Sequence, residues 1–158
     1  MLFRSIDISN MGTSSTNLIG DISGYFTALG EDTASAQVYH TVNPTRLVDT
    51  RNGIGGITGP LKSAEIYPLS DIAQITTATT PTLAVMLTVT VPVDAGDLVA
   101  YPDGTSNPGT SNLNWSANQT IANMALAPTA TDNTVDLLNS SSGTIQLIVD
   151  CSGYFASY

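Results

Sequence analysis

Leu83-Ala84-Val85-Met86-Leu87-Thr88-Val89-Thr90-Val91 is the stretch on which the fold class turns. Leu83, Val85, Leu87, Val89 and Val91 occupy every second position, and a β-strand sends alternate side chains to opposite faces. One face of this segment is therefore continuously apolar, and its β-branched residues suit a pleated surface. That is the pattern of a central core strand. Val91-Pro92-Val93-Asp94-Ala95-Gly96-Asp97 ends it with turn chemistry. Downstream, Leu98–Tyr101 opens another strand, stopped by Pro102-Asp103-Gly104. Leu113 and Trp115 share a face within Ser111–Trp115, and Thr120–Ala127 runs to Pro128. Val135–Leu138 and Thr144–Cys151 form a closing hairpin around Asn139–Gly143, with Ile145, Leu147, Val149 and Cys151 on one face. Upstream, Thr45–Thr50 and Glu65–Leu69 add two strands. About eight or nine short strands, with turn signals every ~8–12 residues, predict an all-β, Greek-key β-sandwich. Ser70–Ala78 is the one stretch that reads as a short helix.

The chain of 158 residues is 42% hydrophobic, enough for a core of its own, yet only 11% charged. Ser, Thr and Asn supply 49 residues, so hydroxyls and amides rather than ion pairs keep the surface wet. The net charge is −9, and the cations are Arg4, Arg46, Arg51 and Lys62. Four cations cannot build a phosphate-tracking stripe, which argues against nucleic acid and against anionic membranes as partners. No apolar run approaches the ~18 residues of a membrane-spanning helix. The single Cys151 excludes an internal disulfide and a cysteine zinc cluster.

The two ends of the chain resemble each other. Residues 6–26 (IDISNMGTSSTNLIGDISGYF) align without a gap on residues 135–155 (VDLLNSSSGTIQLIVDCSGYF), an offset of 129, with nine of 21 positions identical. The matches include Asp7/Asp136, Asn10/Asn139, Asp21/Asp150 and the run Ser-Gly-Tyr-Phe at 23–26 and 152–155. Residues 1–30 thus read as the C-terminal hairpin of a preceding repeat plus a linker, and 31–158 as one complete β-sandwich repeat. The small, polar Gly30–Ala36 fits a linker between repeats. The hairpin of residues 6–26 is expected to contact neighbouring repeats or a second copy in a homo-oligomer, because its apolar residues lack a core of their own.

The most distinctive motif is Asn43-Pro44-Thr45-Arg46-Leu47-Val48-Asp49-Thr50-Arg51-Asn52-Gly53. Val99-Ala100-Tyr101-Pro102-Asp103-Gly104, Ser111-Asn112-Leu113-Asn114, Gln119-Thr120-Ile121-Ala122-Asn123 and Asp150-Cys151-Ser152-Gly153-Tyr154-Phe155 follow it in order. With these motifs the chain resembles the tandem β-repeats of secreted and cell-surface bacterial proteins, over residues 40–156 and again over 6–26. The resemblance implies an accessory, stalk or surface-binding role outside the cell or in the cell wall. Met1–Asp7 lacks the apolar stretch of a signal peptide, so a secretion signal would lie outside this chain.

Within the motif, strand alternation puts Asp49 and Arg51 on one face and Arg46 on the other. The two arginines are expected to clamp loop carbonyls and a strand carboxylate such as Asp150. The competing reading makes Arg46, Asp49 and Arg51 a site for an anionic or carboxylate-bearing sugar. Trp115 is a core residue by its alternation with Leu113, or else a sugar-stacking platform. Asp94, Asp97 and Asp103 are ordinary turn aspartates or calcium ligands, although their spacing matches no EF-hand or RTX pattern. Asn114, Asn118 and Asn139 each head an Asn-x-Ser/Thr pattern, incidental in a chain this rich in those residues. His40 is the only histidine, and Cys151 lies on an apolar face. Nothing in the sequence assembles a nucleophile with a base, and no cofactor is implied. The expectation is a non-enzymatic structural or adhesion repeat with a surface polysaccharide as a further partner. The alternatives are a carbohydrate-binding module of an extracellular hydrolase and a small hydrolase in its own right.

Overall fold

The computed structural model describes residues 7–22, 24–27 and 36–157. Eight strands carry the fold: β1 (Gln37–Asp49), β2 (Ile66–Leu69), β3 (Thr82–Thr90), β4 (Gly96–Pro102), β5 (Leu113–Trp115), β6 (Ile121–Pro128), β7 (Val135–Asn139) and β8 (Gln146–Ser157). There is no helix among the described residues. The strands form two four-stranded sheets, ordered β1-β8-β3-β6 and β2-β7-β4-β5, and every pairing is antiparallel. β1 pairs with β8, β2 with β7, β3 with β6 and β4 with β5, so the chain behaves as one long hairpin rolled up across both sheets. This is the strand order of a jelly roll, the double Greek-key sandwich. The closing hairpin β7–β8 contributes a central strand to each sheet.

The core lies between the sheets. Leu83, Val85, Leu87 and Val89 of β3 are all at most 1% exposed, as the two-residue period demands, whereas Met86 between them is 41% exposed. Ile145, Leu147, Val149 and Cys151 are fully buried beside them. Leu98, Leu113, Trp115, Val135 and Leu137 close the core from the opposite sheet. Each large aliphatic side chain removed from water in this way contributes about 1.5–3 kcal/mol.

Three local expectations give way to the structure. β3 ends at Thr90, and Val91 leaves the alternation at φ 47° and 67% exposure. Ser70–Ala78 forms an isolated turn, in which Ile72 N donates to Ser70 O and both Ile75 N and Thr76 N donate to Ile72 O. Threonines at 76, 77, 79 and 80 and Pro81 give a helix no way to propagate, and the turn serves to push Ile72 and Ile75 into the end of the core. Residues 7–22 and 24–27 carry no strand, so the extra N-terminal hairpin is not closed. A lone two-stranded ribbon has no core to repay its ordering, and every described residue of this segment is exposed. Within Gly30–Ala36, only Ala36 falls among the described residues.

Candidate functional site

The Asp49 turn is built from the end of β1 outward. Arg46 pairs with Asp150 across the β1–β8 ladder, and the next pairing is Val48 with Val149, so Leu47 is an extra residue in a bulge. Leu47 and Val48 are both buried, at 3% and 0% exposure. The bulge moves Arg46 to the side on which Asp49 lies, where simple alternation puts them on opposite faces. After Asp49 the chain reverses: Asp49 N donates to Ile54 O at 3.0 Å and Ile54 N returns a bond to Asp49 O at 3.2 Å. Gly53 and Gly55 supply the left-handed backbone that this reversal needs, at φ 75° and 87°. At Gly55 a Cβ would also sit 2.9 Å from Leu47 O.

Asp49 is fully buried and organises this turn. Its Oδ1 accepts Arg51 N–H at 3.1 Å and Arg51 Nε at 2.8 Å. Its Oδ2 accepts Arg51 Nη2 at 2.7 Å, Asn52 Nδ2 at 3.0 Å and Arg46 Nη1 at 3.3 Å. Arg46 then reaches Asp150 with Nε at 2.8 Å and Nη2 at 3.0 Å. Two bidentate forks thus join β1, the turn and β8. The Arg51 hydrogen bonds, first among several, hold the Asp49 carboxyl well below the usual carboxylate range. Asp150 holds Arg46 above its ordinary value, and Asp49 does the same for Arg51. Thr50 completes the motif from the buried side: its hydroxyl donates to Gln146 Oε1 and accepts Leu147 N–H.

The other sequence candidates lie apart. Trp115 is 5% exposed in the core and its Nε1 donates to Asp94 O at 2.9 Å, so its ring offers no face for a sugar. Asp94 accepts from Ser142, and among the described residues no group of three or more His, Cys, Asp or Glu side chains is arranged to hold a metal ion. His40 stacks on Tyr154 with ring centroids 4.9 Å apart. Cys151 is fully buried, and burial pushes its thiol up, opposite to nucleophile activation.

Two polar centres escaped the sequence reading. Asn139 is fully buried and makes five side-chain hydrogen bonds, to Leu61 O, Lys62 O, Gly143 O, Ser141 N and Ser141 Oγ. Its identity with Asn10 in the aligned ends was the available signal. Asp136 is 8% exposed beside Tyr101. Desolvation first, then Asp103 and Asp132, raises its carboxyl above the usual range.

An apolar groove of about 650 Å³ runs along the outer face of the β1-β8-β3-β6 sheet. Tyr39, Phe155, Met124 and Leu126 line it, with the amides of Asn112 and Asn123 at its rim. The Tyr39 and Phe155 rings meet at 5.0 Å and 52°. No family model matches the chain, and no curated protein or solved structure matches it either.

Proposed function

We propose that the chain is a non-enzymatic structural or adhesion repeat of a secreted bacterial surface protein. The observation that carries this reading is the use made of its most distinctive motif. Arg46, Asp49, Arg51 and Asp150 are spent on one another: the Arg46–Asp150 fork fastens β1 to β8, and the Arg51–Asp49 fork closes the turn that follows β1. A surface of hydroxyls and amides with 11% charged residues suits a spacer exposed to solvent. The test is Arg51→Ala. Loss of thermal stability with unchanged binding to isolated cell-wall polysaccharide fits a clamp. An unchanged melting temperature with lost polysaccharide binding makes the turn a ligand site and overturns the reading.

The groove beside Tyr39 and Phe155 favours a second reading, a carbohydrate-binding accessory module. Tilted aromatic faces with amides at the rim are the materials of sugar recognition. A glycan array probed with the chain and with Tyr39→Ala separates the two: specific retention lost in the variant selects the binding module.

A further inference from the structure

The segment ahead of the sandwich repeats the geometry of the closing hairpin's loop as well as its sequence. In the β7–β8 loop, Asn139 Nδ2 donates to Gly143 O at 2.9 Å and Oδ1 accepts Ser141 N–H at 3.0 Å. Asn10 makes the equivalent pair: Nδ2 donates to Ser14 O at 2.8 Å and Oδ1 accepts Gly12 N–H at 2.9 Å. Residues 12–14 bend as residues 141–143 bend. The loop is formed, and the strands on either side of it are not. Ile8, Leu18 and Ile19 are 68%, 65% and 86% exposed, whereas Leu137, Leu147 and Ile148 at the matching positions are 1%, 0% and 6% exposed.

The topology identifies the missing surroundings. β7 lies between β2 and β4 in one sheet, and β8 lies between β1 and β3 in the other. A jelly roll without this hairpin has a gap in the middle of both sheets. We propose that residues 7–27 are a donor hairpin that fills the β7 and β8 positions of a second jelly roll, one contributing only the six strands equivalent to β1–β6. This rests on the repeat-module reading.

The donor carries the groups the slot requires. Asp21 stands where Asp150 receives Arg46, and Asn10 stands where Asn139 also reaches Leu61 O and Lys62 O. On the core face Leu18 matches Leu147, while Thr16, Gly20 and Ile22 stand at the positions of the buried Ile145, Val149 and Cys151. Ile22 restores part of the volume lost at Thr16 and Gly20, and cores accept exchanges that keep pattern and approximate volume. A second copy of this chain is a poor acceptor, because its own β7–β8 occupies the slot at the high effective concentration of a tethered segment. The Phe26 ring lies 6.1 Å from the Phe155 ring, so the far end of the donor segment touches the sandwich that follows it.

The test extends the full chain: a second copy of residues 36–134 is joined directly ahead of residue 6, preserving the 129-residue spacing. Amide exchange of residues 7–27 and the calorimetric unfolding enthalpy are measured. The expected result is protection of those amides and roughly a doubling of the enthalpy. Asn10→Ala and Asp21→Ala should then destabilise the added unit and leave the 37–157 unit unchanged. A control chain carries residues 135–155 in place of 6–26. A control that folds two units beside a test chain that folds one overturns the donor proposal and leaves the repeat reading standing. If neither chain folds a second unit, a hairpin cannot close a jelly roll across this junction, and both fall.

Discussion

Arg46 grips Asp150 with two parallel hydrogen bonds, Nε to Oδ1 at 2.8 Å and Nη2 to Oδ2 at 3.0 Å, and so joins residues 104 apart in sequence. The fork fixes orientation as well as distance. Both side chains remain over a third exposed, at 40% and 35%, so solvent screening keeps its net worth small. A double-mutant cycle of Arg46→Ala and Asp150→Ala should return a coupling of about 0.5–1 kcal/mol. Strict additivity would show that the fork contributes nothing.

Asp49 couples stability to acid. Its folded carboxyl titrates below its unfolded one, so the stabilisation is fully present above the unfolded value of about 3.9. It is lost as pH falls from there toward the lower folded value. Asp49→Asn should cost about 1–3 kcal/mol at neutral pH and flatten the acid limb of the melting curve. An unaltered acid limb in the variant would place the linkage elsewhere.

Asp136 works in the opposite sense. Its folded carboxyl titrates above its unfolded one, so the native state takes up protons as pH falls and stability declines as pH rises through that window. Asp136→Asn should raise the melting temperature at neutral pH, with the advantage vanishing below about pH 4, where an ordinary aspartate is protonated. A destabilised variant at neutral pH would mean that the carboxylate is held by contacts stronger than its repulsion from Asp103.

Asn10 and Asn139 offer an internal comparison. Asn139→Ala strips partners from three carbonyls and an amide and should cost about 2–4 kcal/mol. Asn10→Ala in the same chain should leave the melting temperature unchanged, because its loop is exposed. Equal losses at the two positions would show that the N-terminal loop already packs on the sandwich.

Cys151 should react with a thiol reagent only as fast as the protein unfolds, since the side chain is fully buried. Labelling of the native protein within seconds would put the β8 core face in contact with solvent.

The β-sandwich was legible because alternation is a local property. Leu83 to Val89 and Ile145 to Cys151 declare their faces within a few residues, and the buried positions follow them. The pairing of Arg46 with Asp150 was foreseeable as chemistry, because so few cations are available to meet so many carboxylates. The placement of Arg46 beside Asp49 was not. It depends on the bulge at Leu47, which arises from pairing with β8 and has no signature within β1. The Ser70–Ala78 turn was misread for a related reason: two isoleucines three apart suit a helix and suit equally a single turn plugging a sandwich end. Asn139 hid among many surface asparagines, since burial of a polar residue is decided by carbonyls from Leu61 and Lys62, remote in sequence.

The register of β1 against β8 begins with Gln37 opposite Ser157, so the backbone enters and leaves the sandwich at one corner. Tension applied along the polypeptide therefore acts on this ladder as on a zipper, loading one hydrogen-bonded pair at a time rather than the whole seam in shear. The tear runs inward from Gln37, through the irregular stretch between Thr41 and Thr45, and meets its first charged fastening at Arg46 and Asp150. The residues that close the turn chemically thus stand where a mechanical rupture would pause, after residues 37–45 of β1 have parted from β8.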